Sequence, residues 1–118
     1  MRAMSSQSFA ITSSPGSKPD VHVLTATGAI TSSTSAAFQD AVSKVTARYL
    51  ILDFTAVPSV DSMAVGALVR VFVWCNKSGR RLALVGLNRR VRNVLELTGI
   101  DPLFDTYPTV VEAEENLG

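Results

Sequence analysis

Few side chains in this 118-residue sequence can do chemistry, and most of them stand alone. His22, the only histidine, falls where Val21, Val23, Thr25 and Thr27 alternate with Leu24 and Ala26 as in a strand, with no serine or cysteine close in sequence to activate. Cys75, the only cysteine, cannot form an internal disulfide and reads as a core thiol in an apolar helix. No Cys/His cluster has zinc spacing, the acids form no calcium loop, and Gly79 and Gly86 are too isolated to cradle a phosphate. Glu112, Glu114 and Glu115 form the solvated face of a terminal helix. Asp53 ends a hydrophobic run and could accept a phosphoryl group. That chemistry needs an acidic pair after the first strand to hold magnesium, and a later lysine; neither Thr12-Ser13-Ser14 nor Leu84-Val85-Gly86-Leu87 supplies them. Asp53 therefore reads as a strand-end turn former. The sequence predicts no cofactor, no metal and no catalytic residue.

Asp61-Ser62 is different, because it joins a buried strand to the longest helical pattern, in Pro58-Ser59-Val60-Asp61-Ser62-Met63-Ala64-Val65-Gly66-Ala67-Leu68. Ser59 or Asp61 can cap the helix, which leaves the Ser62 hydroxyl near its positive end, among N–H groups without helical partners. A phosphate on Ser62 is tolerated there and would change the surface a partner meets. The simpler alternative is that both residues only start the helix. Round that helix, Val65, Leu68, Val69 and Phe72 form a stripe directed at the sheet, with Met63, Ala67, Arg70 and Trp74 opposite. Methionine, tryptophan and arginine are enriched at interfaces, so the second stripe is expected either to meet a partner or to lie under another helix.

The elements that position these residues follow from periodicity. Strands are expected at about Phe9–Thr12 and Val21–Thr27, joined by the turn formers Ser13-Ser14-Pro15-Gly16-Ser17. An amphipathic helix follows at about Ser33–Thr46, with Ala37, Phe38, Ala41, Val42 and Val45 inward. Tyr49–Phe54 and Arg81–Leu87 are strands buried on both faces. They flank the helix Ser62–Lys77, which Gly79 closes. Asn88 caps a helix at about Arg89–Thr98, with Val91, Val94, Leu95 and Leu97 inward and Arg89, Arg90, Arg92 and Glu96 in water. A short strand at about Leu103–Tyr107 and a helix at about Thr109–Glu115 complete the order β-β-α-β-α-β-α-β-α. This is an α/β domain, a mixed sheet with helices covering one face. Residues 1–8 are expected to form a flexible lead and residues 9–118 a single domain.

An apolar fraction of 47% supplies one core, and a formal net charge of +1 gives no general attraction for nucleic acid. No apolar run approaches the roughly 20 residues that cross a bilayer, and the N-terminus lacks a secretion signal's apolar centre, so a cytoplasmic protein without membrane contact is expected.

Leu50-Ile51-Leu52-Asp53-Phe54-Thr55-Ala56-Val57-Pro58-Ser59-Val60-Asp61-Ser62 resembles the strand and Asp-Ser loop of the STAS family, and Gly66 its apolar helix. Arg80 to Gly86 and Val91-Arg92-Asn93-Val94-Leu95-Glu96-Leu97-Thr98-Gly99-Ile100 resemble its next strand and helix end. Within that family the chain is most similar to the stand-alone anti-sigma factor antagonists of bacteria. The resemblance implies a STAS fold and a bacterial regulator of sigma-factor-dependent transcription that is not an enzyme. Its partner would be an anti-sigma factor that is also a serine protein kinase, and phosphorylation of Ser62 would switch the chain off. Asp61 would position the serine and the partner. Gly28-Ala29-Ile30-Thr31 resembles the family's Gly-Glu-Leu/Ile-Asp turn with both acids replaced, and Met63-Ala64 stands where Ser/Thr-Gly is usual. The expected partner surface is Thr31, Asp61, Ser62, Met63, Ala67, Arg70 and Trp74. The alternative is a STAS interaction module that uses the same surface without phosphorylation. A homodimer is compatible with either.

Overall fold

The computed structural model describes residues 9–117; the expected flexible lead, residues 1–8, lies outside them. The elements are β1 (Ala10–Pro15), β2 (Val21–Thr27), α1 (Ser35–Ser43), β3 (Tyr49–Ala56), α2 (Ser62–Lys77), β4 (Arg81–Val85), α3 (Arg89–Leu97), β5 (Asp105–Tyr107) and α4 (Val110–Leu117). A single 3₁₀ turn, Asp101–Leu103, precedes β5.

The five strands lie in sequence order, β1 antiparallel to β2 and the others parallel. Parallel crossovers are almost always right-handed, and a sheet that grows in one direction then places every crossover helix on the same face. Strand alternation meets this arrangement from below. Leu24, Ala26, Leu50, Leu52, Phe54, Leu82 and Leu84 enter a large core with Phe38, Val42, Leu68, Val71, Val91 and Leu95 from α1, α2 and α3. Val21, Val23, Ile51, Ala83 and Val85 point the other way, where Ala113 of α4 packs on them. Helices on one face therefore describes α1 to α3, while α4, free of any crossover, closes the second face.

Three local expectations need correction. β1 continues through Ser13, Ser14 and Pro15, which pair with Leu24, Val23 and His22, so the turn begins at Gly16. As an edge strand β1 tolerates a proline, and ladder pairing outweighs turn preference. Leu97 is 87% exposed rather than inward. Thr98 ends α3, its backbone N–H donating to the Val94 carbonyl while the Gly99 N–H donates to the Glu96 carbonyl. Within the last strand region only Asp105–Tyr107 pairs, and Leu103 belongs to the 3₁₀ turn.

Candidate partner-binding site

Three loops meet at the carboxyl ends of the parallel strands, and hydrogen bonds lock them together. After a register shift between Thr25 and Thr27, Thr27 pairs with Ala56, and beyond the strands an isolated parallel bridge joins Ile30 to Val60, both buried. The Ile30 N–H donates to the Ser59 carbonyl (3.1 Å), and the Asp61 N–H to the Ile30 carbonyl (3.1 Å). From the other side, Asn88 donates through Nδ2 to the Val57 and Pro58 carbonyls, both at 3.2 Å, while its Oδ1 accepts from the Val91 N–H and caps α3. The segment that leads into α2 is thereby held by both neighbouring loops.

Asp61 caps α2: its extended backbone lets Oδ1 accept from the Ala64 N–H at 2.9 Å, while Oδ2 accepts from the Ser32 N–H at 3.2 Å. Ser62 is the first residue of the helix and is exposed, and its hydroxyl makes no hydrogen bond among the described residues. Thr31 is half-buried, its Oγ1 accepting from the Ser33 N–H (3.1 Å). Thr34 Oγ1 accepts from the Thr31 N–H (2.8 Å) and donates to the Ala29 carbonyl (3.0 Å), so it folds the loop rather than capping α1.

Along α2, the stripe of Met63, Ala67, Arg70 and Trp74 borders α1. Met63 is 65% exposed and Trp74 38%, and Arg70 is exposed. Ala67, expected at the surface, is buried at 1%. The correction has a geometric cause: α2 runs between α1 and the α3 side, where Phe72 packs edge-on against Phe104 (5.6 Å), so its buried arc is wider than one stripe. Above Ala67 the helices part, and Gln39, Ser43, Arg70, Val71 and Trp74 line a groove of about 360 Å³. At its end the Arg80 guanidinium lies 5.1 Å from the Trp74 ring centroid. Arg80 also donates to the Val45 carbonyl after α1, and through Nε to Ser78 Oγ at 3.3 Å. Cys75 is buried below; burial raises its thiol pKa, and the Arg80 charge opposes this in part.

Sequence reasoning did not single out Ser32, Gln39, Ser43, Arg80 or Asn88 as parts of this surface. Only Asn88 left a signal, as the cap of α3; the others act through partners distant in sequence. Asp53, the rival phosphate acceptor, turns its carboxylate to the N–H (3.0 Å) and hydroxyl (2.6 Å) of Thr55. Among the described residues no group of acids, histidines and cysteines could hold a metal, and no helix is long and apolar enough to cross a membrane.

Comparison with known proteins places the fold and its relatives. A protein of Thermotoga maritima, named as a candidate anti-sigma factor antagonist, is 35% identical over 68 residues, 58% of this chain and 60% of its own length. This chain thus spans less than two thirds of the curated relatives it matches. The crystal structure of a candidate anti-sigma factor antagonist from Thermotoga maritima is similar with a TM-score of 0.79 and 26% identity, covering 89% of this chain and 92% of that one. The anti-sigma factor antagonist SpoIIAA in its unphosphorylated form shares the fold, with a TM-score of 0.68 at 18% identity over 93% of this chain and 96% of its own. The STAS domain family matches residues 16–113, from the turn before β2 into α4, and the chain belongs to that family.

Proposed function

We propose that this chain is an anti-sigma factor antagonist whose partner is an anti-sigma factor with serine kinase activity, and that phosphorylation of Ser62 breaks the complex. The observation that carries this reading is the Ser62 hydroxyl, exposed and unengaged among the described residues, on a helix start fixed by Asp61. The Ala64 N–H is taken by Asp61 Oδ1 and the Val65 N–H by the Asp61 carbonyl, which leaves the Ser62 and Met63 amides without a partner among the described residues. A phosphate can be accepted there without unfolding the turn. It would add a charge of about −1.5 to −2 beside the Asp61 carboxylate, in the middle of the contact surface. Met63, Arg70 and Trp74 supply the adjoining contact area. The similarity to proteins named as anti-sigma factor antagonists supports the same partner class.

The test is incubation with the anti-sigma factor and ATP, followed by mapping of phosphate by mass spectrometry. Phosphate on Ser62, with release of the partner, is the expected result. Tight binding with Ser62 unmodified would replace this reading by the second, a STAS interaction module without a switch, which the apolar Met63 beside Ser62 favours. Phosphate on Asp53 would overturn both.

A further inference from the structure

The net charge of +1 conceals a local cluster of positive charge. Glu112 and Glu115 stand exposed on α4, on one face of the sheet, whereas Arg89, Arg90 and Arg92 crowd the first turn of α3 on the other. All three arginines are exposed, and none forms an ion pair among the described residues, not even Arg92 with Glu96 four residues on. The first turn of α3 contains no acid. Cations at a helix start oppose the helix dipole, so the arrangement costs α3 stability, and among the described residues no acid pairs with the three arginines to offset it. A local rule broken without internal compensation points to a role outside the chain.

The position of the arginines identifies that role. Asn88, immediately before them, is bonded to Val57 and Pro58 in the loop that leads to Asp61 and Ser62. The cationic turn is therefore continuous with the surface already described. We propose that Arg89, Arg90 and Arg92 dock a carboxylate-rich face of the protein that engages Ser62. This rests on the reading of Ser62 as part of a partner-binding surface and specifies the chemistry of that partner. Leu97, seven residues after Arg90 and on its side of the helix, extends the strip with an almost fully exposed apolar side chain. Such a mixture suits a protein surface, and the near-neutral chain lacks the general positive field of a nucleic-acid binder.

The test uses the whole chain and its Arg89→Glu/Arg90→Glu variant. Acids at the start of α3 favour the helix dipole, so the variant is expected to melt at or above the parent's temperature, and lost binding then cannot be blamed on unfolding. With N-acetylated hexaglutamate as probe, amide shifts in the parent should cluster at the start of α3 and in the β3–α2 loop. They should vanish in the variant and in about 0.5 M salt. Shifts spread equally over Lys18, Lys44, Lys77 and Arg81 in both proteins would overturn the proposal, as would tighter binding to an oligothymidylate. Against the anti-sigma factor, the variant should bind roughly tenfold or more weakly, with a reduced salt dependence. Unchanged binding there, combined with loss in Ser62→Asp, would overturn the arginine surface and leave the reading of Ser62 intact. Peptide shifts confined to the arginines, with an anti-sigma factor indifferent to Ser62→Asp, would do the reverse.

Discussion

The Asp61 carboxylate joins two segments 29 residues apart, accepting from the Ser32 N–H in the β2–α1 loop while it caps its own helix through the Ala64 N–H. One side chain thus fixes both the start of α2 and the loop beside it. Replacing Asp61 by Ala should cost about 1–2 kcal/mol, the usual loss of a cap with a second amide bond removed, whereas Asp61→Asn should cost less because the amide oxygen still accepts. Urea denaturation of the three proteins checks this; equal midpoints would show that neither bond contributes to stability.

Trp74 is the only tryptophan, and Arg80 lies against it while tying α2's end to the carbonyl of Val45. If the indole anchors a partner, Trp74→Ala should weaken association by about 2 kcal/mol or more and leave the fold intact. Arg80→Ala should weaken it less, by about 0.5–1 kcal/mol, because it frees the ring instead of removing it. Tryptophan fluorescence reports the second change directly, as a more mobile and more quenchable indole. An indole equally shielded in Arg80→Ala would contradict the stacking role.

Gly86 has a φ of +72°, and a Cβ built there would come 2.2 Å from Thr55 Oγ1 and 3.1 Å from Thr55 Cα. Gly86→Ala should therefore destabilise the domain by more than about 2 kcal/mol, since backbone strain and a contact with main chain act together. Thr55 cannot readily yield, because its hydroxyl and N–H are both held by Asp53. A melting temperature equal to the parent's would show that the β3–α2 end adapts freely.

Burial holds the Cys75 thiol pKa above its ordinary value of 9.0, despite Arg80. A thiol whose folded pKa lies above its unfolded one contributes stability that is complete below the unfolded value. That contribution is lost as pH rises through the folded value. The domain should accordingly weaken as pH rises past about 9, and the thiol should resist alkylation at neutral pH until the fold is opened. Cys75→Ala should remove the alkaline loss attributable to this group. Rapid native alkylation would place the sulfur at the surface.

Where the chain's order was legible, one local signal sufficed. The limits of β2 and α2 follow from alternation and from a helical pattern bounded by Asp61 and Gly79. The capping oxygens of Asp61 and Asn88 follow from residue type. Misreadings arose where a distant partner decided. Pro15 joins β1 because β2 pairs with it, Ala67 is covered because α1 lies beside α2, and α4 takes the second face because the first is full. The candidate site divides in the same way: Ser62 was legible from its neighbours, but Ser32, Arg80 and the groove beside Gln39 required the fold.

Calorimetric titration of the anti-sigma factor with the parent, Ser62→Ala and Ser62→Asp tests the central claim most directly. The account predicts that Ser62→Ala binds close to the parent and that Ser62→Asp binds at least about tenfold more weakly, a loss of about 1.4 kcal/mol. Equal affinity of all three proteins would contradict it.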